Sequence, residues 1–185
     1  TEAAGTYYTS GKYSCRYAGT IGDAGVYSFN GNKIITTGGG GMIVSDNDEY
    51  IKWAKHLTTQ AKSDELYYTH DEIGYNYRMT NLQAALGIAQ LEQLEKFIQT
   101  KKENYEQYKK QIADIDGLKL LNFRDNIRPN YWFYALYIED SYKLNRDQII
   151  KYLYSKKVQS RPIWGLISDQ KPYEGSQTYK IELAR

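Results

Sequence analysis

Residues 28–41 read SFNGNKIITTGGGG, and their first two residues complete the apolar strand end Val26–Phe29. The Asn-Gly step predicts a tight turn, because both residue types tolerate positive φ. This turn would hold Lys33 on a defined backbone next to Ser28, and a β-prone run then leads to four consecutive glycines. A glycine run costs backbone entropy, so a folded chain keeps it where the backbone bends sharply or passes very close to something. The same pattern also fits a β-hairpin with a surface lysine and a flexible glycine loop.

The composition is that of an ordinary globular protein. The chain has 185 residues, of which 41% are hydrophobic and 25% charged, which allows one domain or two small ones. A formal net charge of +2 gives no electrostatic footprint for nucleic acid or an anionic membrane. No apolar run reaches membrane-spanning length and no signal peptide is visible. Because the chain starts at Thr1 without a methionine, we expect it to be a piece of a longer protein.

The cysteine and histidine content is too low for a disulfide framework or a metal site. Cys15 is the single cysteine, so no disulfide can form within the chain, and a reducing, cytoplasmic setting is expected. No base partner lies near Cys15 in the sequence, which favours a structural role over a nucleophilic one. His56 and His70 do not form a metal-ligand spacing with Cys15, so no metal site is predicted.

The wider stretch 22–33, GDAGVYSFNGNK, with the TTG that begins at Thr36, resembles one enzyme family. It is similar to the sugar aminotransferases that use pyridoxal 5'-phosphate (PLP), the DegT/DnrJ/StrS family. The resemblance implies that Lys33 forms the Schiff base with PLP and that Ser28 holds the cofactor phosphate. Glu2 matches a position, usually glutamine or glutamate, that contacts the cofactor ring. The alternative for Glu2 is a frayed terminal residue.

A second block of resemblance covers residues 70–87, HDEIGYNYRMTNLQAALG. Family enzymes are dimers with active sites at the subunit interface, and the resemblance implies that Asn76 reaches the phosphate bound by the partner subunit. A neutral amide suits this role because it adds a hydrogen bond without extra charge. Arg78 either binds phosphate or pairs with an acid. His70 either transfers protons or is a surface histidine. Arg161, in RPIW, is a weaker candidate contact to the nucleotide.

The resemblance implies an α/β fold of the PLP-dependent transferase fold type I, the aspartate aminotransferase-like class. Strand-helix alternation around Lys33 agrees with an α/β domain. Residues 1–95 are expected to be the C-terminal part of the large PLP-binding domain, and residues 96–185 an incomplete small C-terminal domain. The matched region runs along nearly the whole chain but covers only part of a full enzyme.

The secondary-structure prediction rests on capping residues, helical spacing and β-forming residues. Strands are predicted at 42–44, 118–121, 131–138 and 158–162, and a loop over 58–69. Helices are predicted after the polar residues 45–49, from Thr80, over 97–112, after an Asn145 cap and at the chain end near Arg185.

The implied chemistry is amino transfer. A lysine amine is a nucleophile only when neutral, and a lysine freed from the cofactor can move a proton as general base and acid. The family's habits imply glutamate as donor and a nucleotide-linked keto-sugar as acceptor. The wording of the Lys33 stretch is most similar to the branch that aminates UDP-linked 4-keto-6-deoxy-N-acetylhexosamines, for bacillosamine or legionaminic-type sugars. Gly39 departs from the glutamate of many relatives, whereas family dehydratases carry histidine in place of Lys33.

Two other classes of function remain open from the residues. The chain could be a non-catalytic binding or interaction module, or a fragment, on the same fold. It could also bind a nucleotide through the glycine run, although this run lacks the Lys-Ser/Thr that follows in a phosphate-binding loop.

Overall fold

The structure is a computed structural model that describes residues 1–64 and 66–182. In these ranges the chain forms four helices and eight short strands, which pair into four two-stranded antiparallel sheets. The strands are β1 (Tyr7–Tyr8), β2 (Gly25–Ser28), β3 (Gly41–Val44), β4 (Lys62–Asp64), β5 (Thr69–His70), β6 (Leu118–Leu120), β7 (Ile127–Arg128) and β8 (Leu136–Ile138). The helices are α1 (Asp48–Thr58), α2 (Asn81–Leu91), α3 (Leu94–Ile112) and α4 (Arg146–Ser155).

The β2–β3 hairpin carries the Lys33 stretch. Its register runs from Gly25 opposite Val44 to Ser28 opposite Gly41, so residues 29–40 form the connecting loop. The strand predicted at 42–44 is confirmed and is one residue longer. The β-prone run 34–37 is not a strand, because the Phe29 carbonyl instead accepts the Thr37 N–H at 3.0 Å and the loop folds back on itself.

Three helix starts follow the capping residues in the sequence. Asn47 begins α1, and its side chain accepts the N–H groups of Glu49 and Tyr50. Thr80 and Asn145 begin α2 and α4 with full capping boxes, in which the side chain and backbone satisfy each other's terminal donors. The helices predicted from Thr80, over 97–112 and after Asn145 are therefore confirmed, with α3 starting at Leu94.

The strand predicted over 131–138 is wrong for its first five residues. Tyr131 has a φ of +52°, and the Trp132 N–H is bound at 3.0 Å by the Asn130 side chain, so neither residue can continue a sheet ladder. Only Leu136–Ile138 forms a strand, paired with β6.

Two further predictions are wrong and one lies partly outside the described residues. The predicted strand 158–162 is irregular, because the Val158 N–H returns to the Leu153 carbonyl at the end of α4. The predicted loop 58–69 contains the β4–β5 hairpin, in which Lys62 is opposite His70. The helix predicted at the chain end near Arg185 includes residues 183–185, which lie outside the described ranges, and the described part before them contains two short 3-10 turns.

The first residues of the chain pack against its middle. β1 pairs with β7, and Ala4, Ile98 and Tyr105 are buried between the N-terminal segment, α3 and the aromatic residues that follow it. This pairing joins the two parts predicted as separate domains, so the division at residues 95 and 96 stays a prediction. No helix within the described residues is long and apolar enough to cross a membrane.

Much apolar surface stays exposed. The accessible area is 14,683 Å², whereas a compact monomer of this mass exposes about 9,200 Å². The exposed apolar side chains concentrate in the 66–82 segment, where Leu82 is 85% and Ile73 83% exposed. A surface of this kind is typical of a region that other protein covers.

Candidate active site

Lys33 lies at the end of the predicted tight turn, with its amino group held on a carboxylate. The Lys33 N–H donates to the Asn30 carbonyl at 3.0 Å, which closes the turn. The Lys33 Nζ lies 3.0 Å from Glu2 Oε1, and the lysine side chain is only 13% exposed. The structure therefore brings together two predicted site residues that are 31 positions apart in the chain.

An aromatic ring completes the surroundings of the amino group. The Lys33 Nζ lies 4.5 Å from the centroid of the Trp132 ring, within the range of a cation–π interaction. The Trp132 indole N–H donates to the Asn32 carbonyl at 2.7 Å, so the ring is tied to the residue that precedes the lysine. Trp164 stacks on Trp132 at 6.4 Å between ring centroids, with an interplanar angle of 11°.

Asn130 is buried and hydrogen-bonds to the backbones of Glu2 and Trp132, the two residues whose side chains contact Lys33. Its side-chain N–H₂ group donates to the carbonyls of Glu2 at 2.8 Å and Ala4 at 3.0 Å. Its side-chain oxygen accepts the Trp132 N–H, and its own N–H donates to the Thr6 hydroxyl at 3.0 Å. We name Glu2, Lys33, Asn130 and Trp132 the lysine cluster. One amide thus binds the backbones of both residues whose side chains contact Lys33.

Arg128 anchors the segment on which Glu2 lies. Its guanidinium makes two hydrogen bonds to the Glu95 carboxylate, at 2.6 and 2.9 Å, and a third to the Gly5 carbonyl at 2.7 Å. The hydrogen bond from Arg128 lowers the pKa of Glu95, against a smaller opposing effect of burial. Gly5 has a φ of +83° and lies so close to α3 that an added Cβ would be 2.6 Å from Ile98 Cδ1.

Ser28 and the glycines form an open cradle beside the turn. The Ser28 hydroxyl is half-buried at the end of β2 and accepts the Asn30 N–H at a long 3.4 Å. A Cβ added to Gly31, Gly38 or Gly39 would meet nothing within 4 Å. A hydroxyl next to open glycine backbone suits a phosphate, because successive backbone N–H groups form concave anion sites.

Asn76 and Arg78 lie on an exposed segment away from Lys33. Asn76 forms an isolated bridge with Thr59, and Tyr75 stacks on Tyr77 at 5.0 Å on either side of it. Met79 lies next to the glycine run, because a Cβ added to Gly40 would be 3.1 Å from the Met79 Cε. Within the described ranges Asn76 makes no contact with Lys33, and their shared role stays a prediction.

His70 and Arg161 are also not brought to the lysine cluster. The His70 Nδ1 lies 2.7 Å from the Gln60 carbonyl, a contact that supports the β4–β5 hairpin. Arg161 is exposed, three positions before Trp164. No group of His, Cys, Asp and Glu side chains suited to a metal ion occurs in the described part of the chain.

The sequence reasoning missed Asn130 and Trp132. The sequence predicts a core strand over 131–138, because aromatic residues favour strands. The available signal was Pro129-Asn130, a turn-forming pair directly before the aromatic residues. Such a pair indicates that the backbone leaves extended geometry where Trp132 turns toward the lysine.

Known proteins resemble this chain over nearly its whole length. EpsN of Bacillus subtilis, provisionally described as a pyridoxal phosphate-dependent aminotransferase, is 36% identical over 98% of this chain and 45% of its own length. The GDP-perosamine synthase of Vibrio cholerae is 36% identical over 88% of this chain and 43% of its own length. The chain therefore spans less than half the length of these relatives.

Solved structures establish the fold. The aminotransferase TlmJ from Streptoalloteichus hindustanus superposes with a TM-score of 0.83, at 24% identity, over 94% of this chain and 45% of its own. DesI, solved with its TDP-sugar product, superposes with a TM-score of 0.78, at 23% identity, over 89% of this chain and 42% of its own. The predicted α/β aminotransferase fold of type I is confirmed for this partial span.

The family profile gives the same result along the chain. The profile of the DegT/DnrJ/EryC1/StrS aminotransferases matches residues 1–184, which include the Lys33 stretch and the 70–87 block. The chain belongs to the DegT/DnrJ/EryC1/StrS aminotransferase family.

Proposed function

We propose that this chain is the lysine-bearing part of a PLP-dependent nucleotide-sugar aminotransferase, in which Lys33 binds the cofactor covalently. One observation carries the proposal. The Lys33 side chain is largely screened from solvent, and its amino group contacts both the Glu2 carboxylate and the Trp132 ring. A surface lysine of a simple hairpin would not be enclosed in this way. Family membership supports the same chemistry.

The residues present fit PLP. PLP, when bound, supplies an electron sink that makes the α-proton of an amino acid removable. Ser28 and the open backbone at Gly31 offer hydrogen-bond donors to its phosphate. Glu2 lies at the lysine end of the same site, where it would also contact the ring. Asn76 is proposed to complete the phosphate site of the partner subunit.

In this proposal, the Lys33 amine removes and returns the proton that moves during the reaction. Its amine must lose a proton before it can attack a carbonyl, and Glu2 is close enough, at 3.0 Å, to share that proton. Once the amino donor displaces Lys33, the freed amine is placed to carry the proton away and return it. The enclosed position keeps the amine near the reacting centre, which favours a fast intramolecular transfer.

The substrates are proposed at the level of class. The donor is an amino acid, which the family implies is glutamate, and the acceptor is a nucleotide-linked 4-keto-6-deoxy sugar for bacterial glycans. GDP-perosamine synthases among the relatives and the TDP-sugar product in the DesI structure support a nucleotide-sugar substrate. We propose a UDP-linked N-acetylhexosamine, with Arg78, Arg161 and His70 as candidate contacts.

We also propose that the protein works as a homodimer. The 66–82 segment carries Asn76 and Arg78 among highly exposed apolar side chains, including Tyr77 at 72% and Leu82 at 85% exposure. A second subunit that covers this segment would bring Asn76 to its own phosphate site. This arrangement accounts for both the distance from Lys33 and the apolar exposure.

Borohydride trapping tests the proposal. The natural full-length protein is incubated with PLP, reduced and digested, and the peptides are mapped by mass spectrometry. We expect a pyridoxyl group on Lys33 and none in a Lys33→Arg variant, which keeps the charge but forms no reducible adduct. No label on Lys33 with PLP in excess would contradict the aminotransferase proposal and leave a binding module on the same fold.

A further inference from the structure

We infer that Trp132 is a positioning residue for the Lys33 amino group, which it holds against Glu2 whenever the lysine is free of other bonds. The inference rests on the proposed function for its role in amino transfer. The contact itself stands on the geometry alone. The Lys33 Nζ lies 4.5 Å from the Trp132 ring centroid and 3.0 Å from Glu2 Oε1.

One hydrogen bond fixes the ring itself, and two more fix the backbone that carries it. The indole N–H donates to the Asn32 carbonyl at 2.7 Å, and the backbone N–H donates to the Asn130 side chain at 3.0 Å. Lys101 Nζ adds a hydrogen bond to the Trp132 carbonyl at 3.2 Å. A side chain tied in this way has little rotamer freedom left, so its face stays where Lys33 meets it.

The link to Asn32 couples the ring to the lysine backbone. Asn32 directly precedes Lys33 in the turn, and its carbonyl accepts the indole N–H. Any shift of the turn therefore shifts the ring with it. Packing that only filled space would not need a hydrogen bond to the residue beside the lysine.

The chemistry of the contact is selective for one protonation state. The negative face of an aromatic ring attracts an ammonium group, and tryptophan is the strongest of the aromatic partners. A neutral amine has no such attraction. Trp132 and Glu2 therefore both attract the protonated lysine and keep its amino group at one place. The protonated form is the one that can return a proton.

Two consequences follow for the reaction. The lysine of a variant without the ring would spend less time at the reacting centre, which lowers the rate of proton return. We expect substrate binding to change little, because the contact on which the inference rests is between the ring and the lysine. The effect thus falls on kcat and leaves KM for the donor nearly unchanged.

The test has a readout on the protein without cofactor. Trace acetylation with acetic anhydride labels neutral, accessible amines, and mass spectrometry gives the Lys33 rate relative to the exposed Lys55. In Trp132→Leu we expect the relative Lys33 rate to rise about fivefold, because the ammonium loses its aromatic partner. Trp132→Phe keeps an aromatic face and is expected to lie between Trp132→Leu and the natural protein.

Trp164→Leu is the matched control. It removes a ring that stacks on Trp132 but has no contact with Lys33 in the part of the chain that the structure describes. We expect its relative Lys33 labelling to stay within about twofold of the natural protein. An equal rise in Trp164→Leu and Trp132→Leu would mean general loosening and would overturn the inference.

A second readout follows the reaction with L-glutamate as the probe donor in the PLP-loaded protein. We expect Trp132→Leu to slow the single-turnover rate about tenfold, with half-saturation by glutamate changed less than about twofold. An unchanged rate, or a loss confined to half-saturation, would overturn the inference. If borohydride trapping leaves no pyridoxyl group on Lys33 of the natural protein, the proposed function is contradicted. If that label forms and Trp132→Leu changes neither readout, the inference fails alone.

Discussion

The lysine cluster and the 66–82 segment both carry residues expected to serve one active site, yet they differ in burial and in internal hydrogen bonding. In the cluster, buried Asn130, 6% exposed, ties the N-terminal segment to the stretch that carries Trp132. In the 66–82 segment, Ile73 and Leu82 are more than 80% exposed, and exposed Asn76 forms a bridge with Thr59. The difference indicates that contacts within the described residues order the surroundings of Lys33, whereas the apolar side chains of the 66–82 segment form a surface typical of one that other protein covers.

The largest expected effect tests the internal order of the lysine cluster. Asn130→Ala leaves the Glu2 and Ala4 carbonyls and the Trp132 N–H without partners, so we expect the free energy of unfolding to fall by about 3 kcal/mol. Urea unfolding of the full-length protein measures it. Asn76→Ala is the matched control, with an expected loss of less than about 0.5 kcal/mol. Equal losses would break the comparison.

Steric freedom gives a second contrast, between two glycines of the same hairpin. A Cβ added to Gly25 would lie 1.7 Å from the Gly19 carbonyl oxygen, so Gly25→Ala must displace backbone and should cost about 2 kcal/mol. A Cβ on Gly39 meets nothing within 4 Å, so Gly39→Ala should stay within about 0.5 kcal/mol. Thermal unfolding of both variants measures the difference. A Gly39→Ala variant as unstable as Gly25→Ala would show that the cradle is filled.

The apolar exposure of the 66–82 segment predicts an interface. Replacing Tyr77 and Leu82 by serine removes apolar area that a partner subunit would bury, so we expect dimer dissociation to become about tenfold easier or more. Sedimentation of the full-length protein at several concentrations measures it. Val26→Ser is a control at another exposed apolar residue, 55% exposed, and should leave association unchanged. An unchanged dimer in the double variant would show that this segment has another partner.

The smallest expected effect concerns the ion pair that anchors the Glu2 segment. Arg128 lowers the pKa of Glu95, so this contribution to stability is present above the ordinary glutamate pKa and disappears as the pH falls through the lowered value. Glu95→Gln should therefore weaken the loss of stability on the acid side, by less than about 1 kcal/mol because the side chain is 66% exposed. Urea midpoints between neutral and acid pH measure it. A stability deficit of Glu95→Gln relative to the natural protein that is larger at neutral pH than at acid pH agrees with the sign; the reverse contradicts it.

Local signals in the sequence predicted local structure well. Capping residues such as Thr80 and Asn145 begin helices where expected, because a cap satisfies backbone donors within a few residues. The turn at Lys33 also formed as predicted, since it closes through a bond from Lys33 to Asn30. The stretch 131–135 did not, because the Asn130 side chain, held by residues 2–6, takes the N–H that a strand would need.

The sequence by itself determined the family, the fold class and the candidate lysine, because these depend on residue types at fixed spacings along the chain. Only the tertiary structure decided what surrounds the lysine. Glu2 and Trp132 are separated from Lys33 by 31 and 99 positions, and this spacing does not predict that their side chains contact the lysine. Within the described residues, the side chain of buried Asn130 hydrogen-bonds to the backbones of Glu2, Ala4 and Trp132, and these bonds hold together the two residues whose side chains contact the amino group.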